Sequence, residues 1–467
     1  MTIAYRGNEV KPRRWPYFFL VILLIAIIVI GVKALSNPAP SIQLKGQLKG
    51  IGQKTPVQFE VTDSRHGIKS VQVEVRQGDK TYEVHFHDVM FGEGPPPWWK
   101  FWAKGGENSM SVSATLGKQS LPDLREGQAT VHVVALNDSW GRLFRGGRSE
   151  ISLEVPVRFQ PPQVDVLSPQ QYVNQGGSEL VVFRVSPGTT ESGVQVGKYF
   201  FPSWSVKDSM PETRMCLFAY SYEVDPQTPA KIVARDDAGN ETVSNFNYRV
   251  FPKQFRSDTI DVSDDFMARV VPPILSQTTE VQDQADPVKN FLEVNGRLRE
   301  IEAKQLVDFS RQTSPHFLWS EPFIQLGNSK VEASFADRRT YMHNGEVIDH
   351  QTHLGFDLAV TAHTPVKAAN DGVVVNASYF GIYGNAVIID HGCGLQTLYG
   401  HLSSIDVKPG ETVKRGQQIG LSGQTGLAGG DHLHFSVLLD GIPVNPVEWW
   451  DPHWIHDRIE AKLAAYR

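Results

Sequence analysis

Two pairs of side chains in the C-terminal part of the chain have the composition and spacing of metal ligands. His353 and Asp357 are four positions apart, and His432 and His434 are two positions apart. A further histidine, His401, lies between the pairs. Imidazole nitrogen and carboxylate oxygen both bind zinc, and a catalytic zinc site has three protein ligands and one open position for water. The chemistry that these residues favour is hydrolysis by a metal-activated water.

Short aliphatic runs around the two pairs predict the strands of a β-rich domain. Residues i and i+2 share one face of a strand, so His432 and His434 should point the same way. His353 and Asp357 should do so too if their segment is extended. The two pairs can then meet at one ion, although the spacing does not show which histidine of the second pair binds it. The predicted strands are at 358–360, 372–375, 386–389 and 435–439.

Five candidate groups for three ligand positions leave two histidines over. Hydrolysis of a peptide bond needs one group that takes or steers the proton of the water. It needs another that stabilises charge on the tetrahedral intermediate. The count of histidines therefore fits peptide hydrolysis.

A series of motifs in the same order resembles the lysostaphin/LytM-type zinc endopeptidases, which cut peptidoglycan cross-bridges. The resemblance covers roughly residues 325–450, and no single motif carries it alone. The shared motifs are His353-x-Gly355-x-Asp357, Thr364-Pro365-Val366, Asp371-Gly372-Val373, Tyr383-Gly384-Asn385, Tyr399-x-His401-Leu402, Val413-x-x-Gly416-Gln417-x-Ile419-Gly420, Gly423-x-Thr425-Gly426 and His432-Leu433-His434-Phe435.

The resemblance assigns roles that the spacing leaves open. It implies one zinc ion per chain, with His353, Asp357 and His434 as its ligands. It implies that His401 and His432 assist the water and the oxyanion. It also implies that the substrate is peptidoglycan, at a peptide stem or cross-bridge.

The chain departs from the family pattern at three places without losing a ligand. Gly430-Asp431 precedes the second pair where the family has Gly-Pro, and Asp431 is expected to affect the pKa of His432 or the geometry of its loop. Ala362-His363 and Ser334-Phe-Ala-Asp337 are the other departures. The remaining histidines of the region are expected to be surface or core residues; they are His343, His350, His363 and His391.

Composition excludes several other classes of protein. A chain of 467 residues is long enough for about three domains. The net charge of −6 is mild, and the sequence has neither a basic patch nor a phosphate-binding Gly-rich loop, so no nucleic-acid partner is expected. The two cysteines, Cys216 and Cys393, lie in different predicted domains, so a disulfide between them is not expected.

An uninterrupted apolar run at 17–32 predicts a membrane anchor. About 20 residues can span a bilayer as a helix. Four basic residues precede the run and only Lys33 follows closely, which places the N-terminus in the cytoplasm. A cleaved signal peptide is the alternative, but its apolar core is normally about 7–15 residues long, and Val32-Lys33-Ala34 is a poor cleavage site. The expected location is the bacterial inner (cytoplasmic) membrane, with a single span and the bulk of the chain periplasmic or extracellular.

Alternating apolar residues after the anchor predict the strands of two β-rich modules. An Asp/Asn-rich turn after a central strand in each module resembles that of many extracellular immunoglobulin-like β-sandwiches. Val57-Gln-Phe-Glu-Val61 shows the period of two, and Leu180-Val-Val-Phe-Arg-Val185 predicts a strand of the second module. The segments 134–141 and 233–239 resemble each other, which indicates distant repeats. Either a spacer role or a wall-binding role fits such modules.

A proline- and tryptophan-rich segment at 94–102 stands out in the first module. One interpretation is an exposed loop in which Trp98, Trp99 and Trp102 stack on sugar rings, touch the membrane surface or cap the peptidase cleft. The other, which we favour, is that these tryptophans fill the core of the module or a domain interface, because Trp is highly buried on average.

Near-helical spacing of apolar residues at 291–306 predicts one or two amphipathic helices between the modules and the peptidase, with a start at Asp286-Pro287. A plain connector is the favoured interpretation, and a regulatory element over the cleft is the alternative. Asp451-Pro452 can cap a short final helix that packs or forms a solvated tail. The predicted fold is mostly β, with these parts: a cytoplasmic basic tail at 1–14, a transmembrane helix at 15–35, β-sandwich modules at 36–158 and 159–254, a helical linker at 255–320, and a zinc endopeptidase domain at 321–467.

The sequence therefore predicts a membrane-anchored zinc metalloendopeptidase that acts on peptidoglycan. One alternative is a regulator that keeps the metal but activates another cell-wall hydrolase. The other is an endopeptidase with protein substrates. The complete ligand set argues against the first alternative, and the sequence leaves the second one open.

Overall fold

The computed structural model describes residues 15–35, 39–64, 67–88, 108–137 and 147–466. The basic tail at 1–14, the tryptophan segment at 94–102 and part of the first repeat segment lie outside these ranges. The chain divides into two compact units. One comprises Met1–Pro161 with Asp237–Asn240, and the other comprises Pro162–Asp236 with Glu241–Arg467. The predicted mostly-β architecture is confirmed in both units.

The N-terminal helix covers Trp15–Leu35, and its side chains from Tyr17 to Ile30 are exposed. Counted over the described residues alone, no helix of the structure combines the length and the apolar character that a membrane span requires.

Alternating apolar side chains form the core of the first unit. In the strand Thr55–Thr62, the side chains of Val57, Phe59 and Val61 are buried and those between them are more exposed. The buried faces of two sheets share one core, because burying both faces together removes the most apolar surface from water. Both sheets are antiparallel. The three-stranded sheet has the order Ser41–Leu44, Thr55–Thr62, Ser109–Leu116. The four-stranded sheet has the order Lys80–Asp88, Ile68–Gln77, Gly127–Asn137, Arg148–Val157.

The second unit begins with a smaller β module around fully buried aromatic residues, among them Phe183, Phe201 and Phe218. Two four-stranded sheets and one parallel pair form it. The first sheet has the order Trp204–Ser205, Thr213–Ala219, Ser178–Val185, Val164–Val166. The second has the order Tyr199–Pro202, Thr189–Val196, Ala230–Asp236, Glu241–Ser244. The parallel pair consists of Tyr248–Phe251 and Gln171–Asn174.

The C-terminal helices pack on this module within the second unit. Glu448 accepts hydrogen bonds from the Asn174 side chain (2.9 Å) and from the backbone N–H of Ser178 (2.8 Å). The Lys462 ammonium donates to buried Glu179 at 2.7 Å. The chain end is therefore packed, and the predicted cap of Asp451 on its helix is confirmed. The helical segments are Pro446–Trp450, Pro452–Ile455, His456–Glu460, Ala461–Leu463 and Ala464–Tyr466.

A large antiparallel sheet forms the centre of the C-terminal domain. The strand Leu395–Leu402 is buried along its whole length because the sheet is covered on both faces. The strand order is Lys330–Ala333, Phe356–Ala359, His432–Leu439, Leu395–Leu402, Asn385–Gly392, Gly372–Tyr379, Thr412–Val413, with Ile442–Val444 also paired to His432–Leu439. Two smaller sheets have the orders Ser257–Asp261, Arg338–His343, Glu346–Thr352 and Pro365–Lys367, Gln418–Leu421, Ser404–Ile405.

Helices at 264–310, which we call the helical segment, pack on one face of this domain. Asp286 caps its second helix by accepting the N–H of Lys289 at 2.9 Å, so the predicted start is confirmed. Phe291 and Leu298 are buried against the domain in a core that includes Tyr383. The helices are Asp264–Gln277, Pro287–Leu292, a π-helical turn at Glu293–Leu298, and Arg299–Ser310. A 3₁₀ turn, Gly381–Tyr383, lies between two strands of the large sheet.

Candidate metal centre

Two neighbouring strands bring the two predicted pairs together. In the antiparallel pairing of Phe356–Ala359 with His432–Leu439, Asp357 is opposite His434. Leu358 and Leu433, the next pair in register, are 1% and 2% exposed and face the core. Since side chains alternate along a strand, this register places Asp357 and His434 on the other face.

Three ligand atoms form a nearly equilateral triangle on that face. Asp357 Oδ1 lies 3.0 Å from His434 Nδ1 and 2.9 Å from His353 Nε2. The two histidine nitrogens are 3.1 Å apart. Within the described part of the chain, the ligand atoms of His353, Asp357 and His434 lie close enough together to share one ion.

Hydrogen bonds on the outer sides of the imidazoles determine which nitrogens carry protons. His353 Nδ1 lies 3.0 Å from the carbonyl oxygen of Ser334, so in the neutral imidazole this nitrogen donates and Nε2 keeps a lone pair. The Ser436 hydroxyl donates to the Leu354 carbonyl at 2.8 Å and therefore accepts from His434 Nε2–H at 2.9 Å. His434 Nδ1 is thus also unprotonated.

With both imidazoles neutral, the triangle holds three lone pairs, one of them on a carboxylate, and no proton between them. Such an arrangement is repulsive unless a cation lies among the three atoms. In a tetrahedral site with ligands at about 2.0–2.1 Å, neighbouring ligand atoms lie about 3.3 Å apart, close to the separations found here. Two imidazoles and one carboxylate also match the composition of a catalytic zinc site, so these residues fit the metal that the sequence predicts.

Arg339 holds the other oxygen of the metal-site carboxylate. Its Nη2 donates to Asp357 Oδ2 at 2.8 Å, and both side chains are largely buried, at 16% and 14% exposure. The sequence does not reveal the role of Arg339, because this residue lies on a different sheet and only the packing of that sheet brings it to Asp357.

His401 lies in a left-handed backbone conformation, with φ of 63°. The register of Leu395–Leu402 with Asn385–Gly392 shifts between Tyr399 and Leu402, which is the irregularity of a β-bulge. The bulge directs the His401 side chain to the metal-ligand face. Its ring lies 4.7 Å from that of His432 and 5.8 Å from that of His434.

Both extra histidines are oriented by backbone carbonyls. His401 Nδ1 donates to the Thr425 carbonyl at 2.8 Å, and His432 Nδ1 donates to the Gly430 carbonyl at 2.9 Å. Burial, with the nearby histidines, holds the pKa of His401 well below its usual value. Burial also lowers the pKa of His432, but hydrogen bonding and charge attraction to Asp357 outweigh it and raise the pKa overall.

Gly355 lies where no side chain fits. A Cβ there would lie 2.6 Å from His434 Nε2 and also 2.6 Å from both Phe435 O and Ser436 Oγ. The glycine in His353-x-Gly355-x-Asp357 therefore permits the close approach of the two ligand-bearing strands.

Asp431 stabilises the loop before the second pair. Its carboxylate accepts from the Ser422 hydroxyl at 2.6 Å, and that hydroxyl accepts the backbone N–H of Thr364 at 3.0 Å. The pKa of His432 is governed by burial and by Asp357. Of the two effects expected of Asp431, the structure therefore supports the one on loop geometry.

None of the four histidines expected to be surface or core residues joins the triangle. His391 is fully buried between the Asp371 carbonyl and the Thr397 hydroxyl, and burial lowers its pKa to about 4. The other three make these contacts: His343 with the Val262 carbonyl, His350 with the Thr340 hydroxyl, and His363 with the Ser403 hydroxyl.

A cavity of about 240 Å³ opens onto the five site residues. The helical segment and the strand before it also line this cavity, through Ile260, Phe266, Phe291 and Arg299. The Arg269 guanidinium also donates to the carbonyl of Gly429, at the rim of the cavity, at 3.2 Å. The segment expected to be a connector thus also borders the cleft.

Residues 351–446 match the model of Peptidase family M23. Peptidoglycan DD-endopeptidase ShyA of Vibrio cholerae is 42% identical over 119 residues, which are 26% of this chain and 27% of that protein. DD-carboxypeptidase/endopeptidase Mpg of Neisseria meningitidis is 46% identical over 95 residues, covering 20% of this chain and 22% of that protein. The chain spans about a quarter of the length of the curated relatives it matches.

Among solved structures, the catalytic domain of the antimicrobial peptidase lysostaphin from Staphylococcus simulans is 30% identical. The alignment covers 26% of this chain and 92% of that one, with a TM-score of 0.23. The matched range 351–446 contains all five site residues, and the resemblance stated from the motifs is confirmed. The C-terminal region of this chain is a peptidase family M23 domain.

Proposed function

We propose that this protein is a zinc-dependent endopeptidase that hydrolyses peptide bonds in the stems or cross-bridges of peptidoglycan. The observation that carries the proposal is the triangle formed by His353 Nε2, Asp357 Oδ1 and His434 Nδ1, with two further histidines beside it. The names of the relatives support peptidoglycan as the substrate.

The three ligand residues would hold the zinc ion. When bound, zinc supplies Lewis-acid polarisation of the scissile carbonyl and lowers the pKa of a water molecule. Because Asp357 Oδ2 is held by Arg339, only Oδ1 of this carboxylate faces the ion position. The protein therefore presents three metal-binding atoms, and the side of the ion that faces the cavity would remain for water and substrate.

His401 and His432 would handle protons beside that position. Each donates its Nδ1–H to a carbonyl, so each turns Nε2 away from that carbonyl. An unprotonated Nε2 can accept the proton of the attacking water, and a protonated one can donate a hydrogen bond to the oxyanion. We assign acceptance of the water proton to His401 and the hydrogen bond to the oxyanion to His432. The reason is that His432 Nε2 lies 3.5 Å from the Asp357 carboxylate, which favours a proton on this nitrogen.

Digestion of purified peptidoglycan by the full-length protein tests the proposal. Un-crosslinked muropeptides should appear, and they should disappear with a chelator and with His434→Ala, but not with His350→Ala, which changes an exposed histidine outside the triangle. A protein that releases nothing but stimulates a second hydrolase would instead be a regulator. Cleavage of protein substrates with intact peptidoglycan would contradict the assigned substrate.

We also propose that the N-terminal helix is a retained anchor in the bacterial inner membrane, with the peptidase on the outer side. The apolar run at 17–32, the exposed side chains from Tyr17 to Ile30 and the preceding basic residues support this. The β modules would then be immunoglobulin-like spacers or wall-binding modules between membrane and peptidase.

Two measurements test the anchor. The full-length protein should remain with membranes after alkaline carbonate extraction, and mass spectrometry should find the N-terminal residues in the mature protein. A mature chain that starts near Leu35 would show that the segment is a cleaved signal peptide.

A further inference from the structure

The cavity at the candidate metal site is lined by two arginines. Arg299, at the start of the helix Arg299–Ser310, lines the same cavity as His353, Asp357 and His434. The other arginine of the cavity, Arg339, is paired with Asp357. Arg299 differs, because among the described residues no carboxylate lies within ion-pair distance of it.

The partner of Arg299 is neutral. Its Nε and Nη2 donate to the side-chain oxygen of Asn295 at 3.2 and 3.1 Å. A guanidinium has five N–H groups, so these bonds leave three without a partner among the residues that the structure describes. Glu302 lies on the same helix, but its carboxyl accepts the Ile382 N–H, and burial raises its pKa to about 8, so it is mostly neutral near pH 7.

A buried network fixes the position of Arg299. Asn295 is fully buried, and its amide nitrogen donates to Asp349 Oδ2 at 2.7 Å. The same oxygen also accepts from the Gln351 amide at 3.0 Å. Since the amide nitrogen of Asn295 is used by Asp349, its oxygen must face Arg299. The guanidinium is therefore held in place before any ligand arrives, which reduces the entropy lost on binding.

We propose that Arg299 binds a free carboxylate of the peptide substrate while the scissile bond lies at the metal ligands. A guanidinium matches a carboxylate in a two-point hydrogen-bonded pair, and such a pair is strongest where water is largely excluded. This inference rests on the proposed function and specifies its substrate, as a peptide with a free carboxylate near the cleaved bond.

Three versions of one synthetic peptide, L-Ala-γ-D-Glu-L-Lys-D-Ala, test the inference. The first has every carboxyl group amidated, the second keeps only the glutamyl α-carboxyl free, and the third keeps only the C-terminal carboxyl free. Binding is measured by calorimetry with metal-free full-length protein, so that no turnover occurs. One of the two carboxylate peptides should bind about 10- to 100-fold more tightly than the fully amidated one.

Arg299→Gln should abolish that preference without weakening binding of the amidated peptide, and Arg299→Lys should retain only part of it. Arg297→Gln is the matched control, because Arg297 is 64% exposed and pairs with Glu293 at 3.7 Å. It should leave the preference unchanged. Equal binding of all three peptides by the wild type, or a preference that survives in Arg299→Gln, would overturn the inference.

The outcome is separable from that of the proposed function. Peptidoglycan hydrolysis without any carboxylate preference contradicts the role of Arg299 alone. A carboxylate preference without hydrolysis supports Arg299 as a binding residue and contradicts the peptidase proposal.

Discussion

Arg339 Nη2 donates to Asp357 Oδ2 at 2.8 Å, on the side of the carboxylate that faces away from the metal ligands. The contact fixes the carboxylate plane and leaves Oδ1 as the single atom directed at His353 and His434. A residue outside the ligand set thus sets the geometry of the ligand triangle.

Replacing this arginine should weaken metal binding. Arg339→Gln is expected to lower zinc affinity by about 10- to 100-fold, because the carboxylate loses its orienting partner. Competition with a chromophoric chelator measures the affinity directly. The control is Arg338→Gln, which changes the exposed neighbour on the same strand. Equal affinities of the two variants would show that Arg339 does not position the carboxylate.

Replacing His401 should separate catalysis from metal binding. His401→Ala is expected to lower kcat by about 10²- to 10⁴-fold, the usual contribution of a positioned proton acceptor, while the protein still binds one metal ion. Muropeptide release and metal content measure the two effects. His363→Ala, at an exposed position, should change neither. A loss of metal from the His401 variant would assign this residue to the ligands.

Adding one methyl group beside His434 should disturb the site through packing alone. Gly355→Ala would place a carbon 2.6 Å from His434 Nε2. We expect it to lower the free energy of unfolding by about 1–3 kcal/mol, the usual cost of overpacking, and to weaken metal binding. Gly327→Ala, where a Cβ has no neighbour within 4 Å, should change the stability by less than about 0.5 kcal/mol. Thermal unfolding compares the two, and similar effects would argue against the close strand approach.

Glu302 should make stability depend on pH. It is 2% exposed, one of its carboxyl oxygens accepts the Ile382 N–H at 3.0 Å, and burial raises its pKa from 4.5 to about 8. Between these values the folded protein keeps a proton that the unfolded chain has lost. This contribution to stability is therefore complete below about pH 4.5 and is lost as the pH rises to about 8.

Glu302→Gln removes that dependence because its amide stays neutral. Relative to the wild type, the variant should gain stability as the pH rises from 5 to 8, by an amount on the order of a few kcal/mol. Chemical unfolding at several pH values measures the difference in the free energy of unfolding between the variant and the wild type. The contributions of the other titrating groups are the same in both proteins and cancel in this difference. A difference independent of pH would mean that Glu302 is ionised throughout this range in the folded protein.

Periodicity predicted the parts of the structure that depend on local sequence. The alternation of Val57, Phe59 and Val61 appears as a strand with one buried face, and the Asp286 cap begins its helix as expected. Residues two apart on a strand share a face, so the spacing of His432 and His434 already indicated a common direction. The motif resemblance then located the domain that the family model matches.

Other features depend on contacts between distant segments, and local patterns do not encode them. The β-bulge that turns His401 inward has no signature in its own residues, since the position with a positive φ is not a glycine. Arg339 and Arg299 reach the cavity only because a second sheet and the helical segment pack there. The segment was predicted as a connector from its amphipathic pattern, which shows that one face is buried but not which surface it covers.

Metal titration of the metal-free full-length protein tests the central claim most directly. We predict one high-affinity zinc ion per wild-type chain, and no such site in Asp357→Ala or His434→Ala, with both variants still folded by circular dichroism. The control His391→Ala removes a buried histidine outside the triangle and should keep the site in the fraction that folds. A folded Asp357→Ala or His434→Ala variant that binds zinc as tightly as the wild type would contradict the account.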